Sequence, residues 1–398
     1  MFLHEEEAVL MYRPGGLHPV CLGDTFDDGR YRVVHKLGFG DSSTVWLVRD
    51  THRDDIWAAL KILTAQSSSA TDNPRNELII LQALQDGDND FVPWLHKAFL
   101  HHGPNGSHLC IVTDFLGPSL RQIVTSYYNW GERLEPDNIL WLTSQLLEAT
   151  ALLHEAGIAH GGIYSYPPIL PLSTHLLTYL TALLDVMGSP ETAELLNADG
   201  SDLGPHLPRQ LVGMTQWSDW TDEFDEDLCL VDFGQSFCHD AVPTALSQPY
   251  DLRVPETLLA PQFDYRVDLW RLGCIIYALV FLGYPFMTLG KKTSLVRQMI
   301  NFVGPLPPEW EEAWQTLIAA DPSYSPLLGL DPLFADMFKD RVSERELAPL
   351  LPIIQGLMRF RPADRISARA ALDLLPDESS DGEDTSKLSV TTSYTPKL

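Results

Sequence analysis

The chain has 398 residues, of which 45% are hydrophobic and 20% charged, and its formal net charge at pH 7 is -27. This length allows one large domain or two ordinary ones, with enough apolar residues for a substantial core. So negative a chain repels nucleic acid and favours basic partners, although the charge also simply promotes solubility. We therefore expect no direct contact with nucleic acid.

Cysteine usage and hydropathy indicate a protein of the cell interior. The five cysteines are spread along the chain without a CxxC pair, which is typical of reduced thiols and predicts no zinc site. The longest apolar run, at about 274–282, is too short to span a bilayer. The opening residues MFLHEEE lack the basic and apolar parts of a secretion signal. We expect a cytoplasmic or nuclear protein, monomeric and without membrane contact.

From the N-terminus, the chain is predicted to begin with an arm and a glycine-containing hairpin. Residues 1–23 form the arm, which we expect to be loosely held because EEE is followed by RPGG. Residues 31–37 and 44–48 alternate as strands do, with GFGDSS between them. Two glycines allow backbone N–H groups to approach a phosphate without a Cβ in the way, although glycine also serves hairpin geometry alone.

A lysine inside the next predicted strand is the first candidate binding residue. The strand covers 57–63 (WAALKIL), where Lys61 has apolar neighbours. A buried ammonium needs an anionic partner. Glu77, in a predicted helix at 75–84, can supply it, unless the pairing is chance. A further buried strand at 109–116 precedes Gly117-Pro118, which we interpret as a connector between two lobes.

The second half of the chain contains a predicted helix, a histidine and a buried strand that ends in DFG. Residues 139–153 have helical periodicity and lead to His160 in AHGGIYSYP. The stretch LCLVDFGQ predicts a strand at 228–231, followed by Asp232. Further along are RVPE, DYRVDLWRLG and RPADRISA. Chance would not produce these motifs in this order and at these spacings.

The motifs resemble those of eukaryotic protein kinases over residues 24–375. KLGFGDSSTVWLVRD, AALKIL and VTDFLGPSL are similar to the small lobe. LGFGDSSTVWL, with Ser in place of the third glycine, resembles the SR-protein kinase family and its fungal relatives. The resemblance implies an α+β, bilobal kinase fold, with a small lobe of antiparallel sheet plus one helix. Its parts would be the small lobe at 24–116 and a mostly helical large lobe at 117–376 with an insertion at about 163–227. The low hydrophobicity and clustered acids of residues 377–398 separately predict a disordered tail.

The resemblance also implies roles for individual residues. Those that would surround ATP are Leu37, Gly38, Phe39, Gly40, Asp41, Ser42, Ser43, Thr44, Val45, Ala59, Thr113, Asp114 and Leu116. Lys61, held by Glu77, would contact the α- and β-phosphates, and Asp232 would hold Mg²⁺. In the interior of the large lobe, Glu256 would form an ion pair with Arg365. Asp268 would accept hydrogen bonds from the backbone of the catalytic loop.

The catalytic loop departs from the family pattern. His160 is present, but Gly162 occupies the position of the catalytic Asp, and residues 166–168 (Tyr-Pro-Pro) occupy that of the metal-binding Asn. The Asp orients the attacking hydroxyl and accepts its proton, which glycine cannot do. In many kinases the position of Gly161 carries an Arg that binds the phosphorylated activation loop. Because this chain has glycine there, an active form is expected not to need phosphorylation of that loop.

The composition changes after Gly162. No Asp, Glu, Lys or Arg lies between Glu155 and Asp185, and the stretch is apolar and broken by prolines. Either residues 162–182 derive from an error in the gene model, such as translated intron, or the loop has decayed and packs as a hydrophobic cover. The insertion beyond it carries the acidic stretch 222–227, which would favour arginine-rich substrates or is merely solvated.

The residues leave three functions open. The first is an ATP- and Mg²⁺-dependent Ser/Thr protein kinase that acts on basic, Arg/Ser-rich proteins. The second is a catalytically dead pseudokinase that serves as a binding scaffold. The third, a small-molecule phosphotransferase of the aminoglycoside or choline kinase type, is disfavoured because those enzymes lack the framework formed by Glu256, Asp268 and Arg365.

Overall fold

A computed structural model of the chain describes most of its length. The described residues are 6–53, 56–69, 74–85, 90–163, 169–171, 180–217, 228–249, 252–287, 290–324 and 334–376. Three sequence predictions lie outside these residues: the position of the missing Asn at 166–168, the acidic stretch 222–227 and the tail 377–398. Within the described ranges, no helix is both long and apolar enough to cross a membrane.

The small lobe is an antiparallel sheet of six strands in the order β1-β2-β3-β4-β6-β5. The strands are β1 (Thr25–Phe26), β2 (Tyr31–Gly40), β3 (Ser43–Asp50), β4 (Ile56–Leu63), β5 (Leu95–Gly103) and β6 (Gly106–Asp114). Side chains alternate between the faces of each strand, and one face forms a core around Trp46, Leu60 and Val112. Helices α1 (Ala65–Ser69) and α2 (Pro74–Leu84) follow β4. The strands and the helix predicted for this lobe are therefore present.

The large lobe is mostly helical. It is reached through β7 (Leu116–Ser119), and Ser119 forms a capping box with Gln122 that satisfies the first backbone N–H groups of the next helix. The elements that follow are α3 (Leu120–Trp130), α4 (Pro136–Glu155), β8 (Ile158–Ala159), β9 (Ile169–Pro171), α5 (Leu180–Met187), β10 (Thr192–Glu194), β11 (Gln210–Val212), β12 (Phe237–Cys238), α6 (Glu256–Leu259), α7 (Val267–Phe281), α8 (Lys292–Val303), α9 (Glu311–Ala319), α10 (Phe334–Arg341), α11 (Leu350–Leu357) and α12 (Ala368–Leu372). The apolar helix α7 is buried along most of its length and packs against α4 and α11, so it forms the centre of this lobe.

The segment 228–231, predicted as a strand, contains a single β-bridge residue, Cys229, and is not one of the strands named above; Leu228, Cys229 and Leu230 are buried. Its backbone groups are satisfied in another way. The Leu228 N–H donates to the Gln145 side chain over 2.6 Å, and the Leu230 N–H donates to the carbonyl of Phe91 over 2.7 Å. These two hydrogen bonds hold the segment in the interior, so Asp232 follows directly from a fixed backbone.

The N-terminal arm is firmly packed, and the expectation of a loosely held arm is wrong for residues 6–20. Leu17 and Val20 are buried. Glu7, also buried, forms an ion pair with Lys36 at the start of the glycine hairpin. The described part of the arm is held because its apolar residues pack on the small lobe and the buried carboxylate of Glu7 pairs with Lys36, which the acidic composition of the first residues did not reveal.

The insertion does not stay within the large lobe, because its described residues also pack on the small lobe. The Thr215 N–H donates to the carbonyl of Lys36 over 3.0 Å, and Val212 is part of the small-lobe core. Earlier in the insertion, on α5, Leu183 and Met187 belong to the same hydrophobic cluster as Leu47 of β3. The apolar side chains on α5 and β11 therefore cover the outside of the sheet beside the connector.

Candidate nucleotide-binding site

A cavity of about 930 Å³ lies between the lobes, under the β2–β3 hairpin. The predicted ATP-contacting residues that line it are Leu37, Gly38, Phe39, Gly40, Asp41, Ser42, Ser43, Val45, Ala59, Thr113, Asp114 and Leu116. The hairpin has the predicted geometry, since Gly40 pairs with Ser43 across a turn at 41–42. This volume lies within the range of small-molecule pockets, so the cavity can hold a nucleotide.

Thr44 is the predicted contact that the structure corrects. Its side chain is buried away from the cavity and accepts a hydrogen bond from the indole N–H of Trp46 over 3.0 Å. Successive residues of a strand face opposite sides of the sheet. Because Ser43 and Val45 line the cavity, Thr44 between them points to the other face.

Lys61 lies at the centre of the cavity wall between two carboxylates. Its Nζ is 2.7 Å from Oε1 and 2.9 Å from Oε2 of Glu77, and 2.7 Å from Oδ1 of Asp232. β4 supplies the lysine, α2 the glutamate, and a single 3₁₀ turn at Phe233–Gln235 follows the aspartate. The predicted pair of Lys61 with Glu77 is thus present, and the third group comes from the DFG motif.

The three groups shift one another's pKa. Burial alone would lower the pKa of Lys61, but the carboxylates of Asp232 and Glu77 outweigh it and raise that pKa. The charge of Lys61 lowers the pKa of Asp232. Burial raises the pKa of Glu77 against the opposing charge of Lys61. The cluster therefore keeps Lys61 cationic and Asp232 anionic, as binding of phosphate and of a metal ion requires.

Asp232 is held in an unusual backbone conformation. Its φ is 65°, in the left-handed region that costs a non-glycine residue free energy and is found most often at functional sites. The side chain is 58% exposed, whereas the neighbouring Phe233 is buried against the ring of His160 at a centroid distance of 4.9 Å. The strained backbone turns the carboxylate to the cavity and the ring to the interior.

The set of residues fits Mg²⁺ only together with a nucleotide. Asp232 supplies one accessible carboxylate, and the described residues contain no group of three His, Cys, Asp or Glu side chains that could hold a metal ion by themselves. Mg²⁺ is commonly bound by one or two carboxylates plus the phosphates of the substrate. Asp232 at the phosphate end of the cavity matches that arrangement.

His160 holds the catalytic-loop backbone in place. Its Nε2–H donates to the carbonyl of Val231 over 3.1 Å, and its Nδ1 accepts the N–H of Gly162 over 3.2 Å. Burial lowers the pKa of His160, so the ring is neutral with its proton on Nε2. The histidine therefore joins the start of the loop to the DFG segment and is not free to act as a general base.

Asp268 of α7 also holds the catalytic loop through hydrogen bonds to its backbone, as the resemblance implies. Its carboxylate accepts the N–H groups of His160 and Gly161 over 2.7 and 2.9 Å, and it also contacts Nε2 of His154 at 3.2 Å. Burial would raise the pKa of Asp268, but the hydrogen bond and charge of His154 lower it. The buried carboxylate is thereby kept ionised as a support for the loop.

The two glycines of the loop differ in how much space surrounds them. Gly161 has a φ of +66°, and a Cβ there would lie 2.2 Å from the carbonyl oxygen of Gln235, so the position requires glycine. At Gly162 the nearest atoms to a Cβ would be 3.5 Å away, on Gln235 and His160, which is ordinary contact. The backbone and surroundings of position 162 therefore accept a Cβ, and glycine is not required there as it is at position 161.

A buried ion pair and a buried arginine hold the activation segment, by which we mean the stretch from the DFG motif at Asp232 to Glu256. Arg365 binds Glu256 through two hydrogen bonds of 2.7 and 2.6 Å, with both side chains buried, as the resemblance implies. Arg271 was not predicted. Its guanidinium donates to the carbonyl of Gly161 over 2.7 Å and to Oε1 of Gln248 over 3.0 Å. The signal in the sequence was a single arginine, three residues after Asp268, in an otherwise apolar helix.

The insertion adds residues to the cavity that sequence reasoning missed. Met214 and Trp217 line it on the side of the connector. Trp217 also stacks on Phe115, with ring centroids 6.1 Å apart, and Gln122 donates to the carbonyl of Thr215 over 3.4 Å. Only the fold of the insertion brings these residues to the site, so no local motif predicted them.

Comparisons with known proteins agree with this geometry. No protein-family model matches the chain. The serine/threonine-protein kinase SRPK of Physarum polycephalum is 28% identical over 295 residues, which are 70% of this chain and 66% of that protein. Protein kinase dsk1 of Schizosaccharomyces pombe is 38% identical over 39% of this chain and 29% of its own length. The serine/threonine-protein kinase SKY1 of Saccharomyces cerevisiae is 34% identical over 40% of this chain and 22% of its own length. The matched segments thus span less than two thirds of each of these relatives.

The fold was also compared with solved structures. A kinase domain known from a crystal structure superposes with a TM-score of 0.59 at 18% identity, over 89% of this chain and 96% of that domain. At such low identity the likeness concerns the fold alone. It agrees with the observed sheet in the N-terminal part and the helices in the C-terminal part, so the predicted bilobal fold is confirmed.

Proposed function

We propose that this chain, which is related to the SRPK-type protein kinases and has the protein kinase fold, binds Mg²⁺·ATP and acts as a Ser/Thr protein kinase on basic, Arg/Ser-rich proteins. One observation carries the proposal: the Nζ of Lys61 lies 2.7 Å from both Glu77 and Asp232 inside the interlobe cavity. Protein kinases need this lysine–glutamate pair and the metal-binding aspartate in place at the same time. We propose a monomer in the cytoplasm or nucleus.

The cavity offers a binding mode for each part of ATP. The adenine would lie between Val45 and Ala59, with its edge at the backbone of Asp114 and Leu116. The hairpin would cover the phosphates with its N–H groups, and Lys61 would bind the α- and β-phosphates. Mg²⁺, held by Asp232, would neutralise phosphate charge and so stabilise the transferring group.

Transfer to a serine would be slow in the chain as written. Most of the catalysis of phosphoryl transfer comes from positioning and charge neutralisation, which Lys61 and Asp232 can supply. Without a carboxylate at Gly162 the attacking hydroxyl lacks the base that the kinase family places at this position, and loss of a general base costs a factor of about 10²–10⁴. The net charge of -27 favours a basic substrate, since it attracts Arg-rich segments.

A second candidate function is that of a catalytically dead scaffold that binds ATP. Gly162 favours it, because the described loop places no carboxylate where the base would act. ATP would then stabilise the fold, and a basic partner would bind without being modified. The third possibility, a small-molecule phosphotransferase, is not favoured because the pair Glu256–Arg365 and the loop support Asp268 are both in place.

Two measurements test these proposals. Binding of Mg²⁺·ATP is measured by calorimetry on the full chain, and Lys61→Met should abolish or strongly weaken it; unchanged binding would overturn the proposed site. Incorporation of labelled phosphate into an Arg/Ser repeat peptide then separates kinase from scaffold. Slow incorporation that is lost in Lys61→Met and raised about 10²-fold or more in Gly162→Asp supports the kinase. A wild-type chain that binds ATP but transfers nothing is the scaffold.

A further inference from the structure

A tight turn of the N-terminal arm lies at the rim of the nucleotide cavity. Within the turn, the Gly16 N–H donates to the carbonyl of Arg13 over 2.7 Å, and the Leu17 N–H to that of Met11 over 3.0 Å. A Cβ at Gly16 would lie 2.0 Å from the carbonyl oxygen of Met11, so the turn depends on glycine at this position. The sequence RPGG thus forms a defined turn, and the prediction of a loose arm is wrong at this point.

The turn is attached to the small lobe next to the hairpin. The N–H of Gln66 donates to the carbonyl of Gly15 over 2.7 Å, and the N–H of Gly15 to that of Asn105 over 2.8 Å. Just before this contact, the Thr64 N–H donates to the carbonyl of Ser42 over 2.8 Å, at the tip of the hairpin. The arm therefore lies at the phosphate end of the cavity.

Arg13 is an exposed residue of this turn and the one that carries a charge. Together with Met11, Gly15 and Gly16, it lines the same cavity as Lys61. Within the described part of the chain its guanidinium makes no hydrogen bond or ion pair. A cation that a fixed turn holds beside a cavity, with no anion of its own, is free to bind an anionic ligand there.

The charge of the cavity calls for such a cation. Its described lining residues include two cations and four carboxylates, namely Lys61, Arg13, Asp41, Glu77, Asp114 and Asp232. Lys61 already contacts two of the carboxylates, so a bound triphosphate would meet a surface with excess negative charge. Guanidinium binds phosphate through two parallel hydrogen bonds and stays charged at any physiological pH.

We propose that Arg13 binds the terminal phosphate of the nucleotide, as a cation delivered by the arm to the open end of the site. The inference rests on the proposed binding of ATP. It assigns a positioning and charge-neutralising role at the γ-phosphate to a residue outside the kinase motifs. The arm would then form part of the nucleotide site and would hold the phosphate that is to be transferred.

Calorimetry with ATP, ADP and adenosine, each with Mg²⁺ on the full chain, tests the proposal. Arg13→Ala should weaken ATP binding about tenfold or more, as expected for a hydrogen bond to a charged group. The same variant should weaken ADP binding much less and leave adenosine binding unchanged. Arg13→Lys should retain part of the ATP affinity, since it keeps the charge without the fork. Arg32→Ala, which removes an exposed arginine of β2 outside the cavity, is the matched control and should change nothing.

The outcomes are distinguishable. Equal losses for ATP and ADP, an ATP affinity that Arg13→Ala leaves unchanged, or a parallel loss for adenosine would each overturn the role at the terminal phosphate while the nucleotide site stands. A wild-type chain that binds neither ATP nor adenosine would overturn the proposed function and this inference with it. Thermal unfolding of each variant checks that the arm is still folded onto the small lobe.

Discussion

The guanidinium of Arg271 donates to the carbonyl oxygen of Gly161 over 2.7 Å, although the two residues are 110 positions apart in the chain. In many kinases the position of Gly161 carries an arginine that contacts the activation segment. In this chain the arginine that contacts the activation segment is Arg271 of α7, and it binds the backbone carbonyl of Gly161. The same guanidinium reaches Gln248 of the activation segment, so loop and segment are joined without a phosphate.

The first prediction concerns the stability that Arg271 provides. Arg271→Leu should lower the free energy of unfolding by about 3 kcal/mol, because it leaves the Gly161 carbonyl and the Gln248 amide without their buried partner. Urea denaturation followed by circular dichroism measures the change. Arg369→Leu, which removes an exposed ion pair with Glu155, is the control and should cost less than about 1 kcal/mol. Equal effects of the two substitutions would contradict this role.

The second prediction concerns the buried pair of Glu7 and Lys36. The Lys36 ammonium also donates to the carbonyl of Val212 over 3.0 Å, so it joins the arm to the insertion. Glu7→Leu should cost about 3–5 kcal/mol, because it leaves Lys36 buried without a counter-charge. Adding Lys36→Met to Glu7→Leu should recover most of the loss, since the desolvated charge is removed as well. A double variant no more stable than the single one, measured in urea, would disprove a charge-based cause.

The third prediction is a pH dependence that arises from His18. Burial, with smaller contributions from His101 and His108, lowers the pKa of His18 to about 3. The ring centroids of His101 and His108 lie 4.6 and 5.0 Å from that of His18. Because the unfolded chain binds this proton more readily, stability is highest above the unfolded pKa and falls as pH decreases toward the folded one.

The size of that effect follows from the shift. With an unfolded pKa of about 6.5, His18 alone should reduce stability by about 2 kcal/mol between pH 7.5 and pH 5. Urea midpoints at both pH values measure it. His18→Gln should make the loss smaller by that amount, whereas His52→Gln, at an exposed histidine, should leave it as in the wild type. An identical loss of stability in the wild type and in His18→Gln would show that protonation of His18 does not contribute to the pH dependence of folding.

Local motifs were enough to predict the elements of the site, but not their surroundings. Lys61, Glu77 and Asp232 each lie in a short recognisable motif, and it was the resemblance to protein kinases that implied their meeting, since the pairing of Lys61 with Glu77 could by itself have been chance. The prediction of Thr44 as an ATP contact is wrong because strand alternation directs its side chain to the opposite face of β3 from Ser43 and Val45.

The parts of the site that were missed depend on distant partners. Trp217 and Arg13 reach the cavity because the insertion and the arm fold onto the small lobe, and that packing is decided by contacts such as Thr215 with Lys36. No property of either segment by itself indicates such contacts. The arm was predicted to be loose for the same reason, because Lys36, the ion-pair partner of Glu7, lies 29 positions away in the sequence.

The fourth prediction separates the two glycines of the catalytic loop. Gly161→Ala should lower the free energy of unfolding by about 1–3 kcal/mol, because φ is +66° and the added Cβ would meet the carbonyl oxygen of Gln235 at 2.2 Å. Gly162→Ala is the matched control and should cost less than about 1 kcal/mol, since its Cβ would find only ordinary contacts at 3.5 Å. Equilibrium urea unfolding of the two variants gives the comparison, and similar losses would contradict it. A large cost at 161 alone would mean that this loop does not accept a side chain at the position where many kinases carry an arginine, whereas position 162 accepts a Cβ.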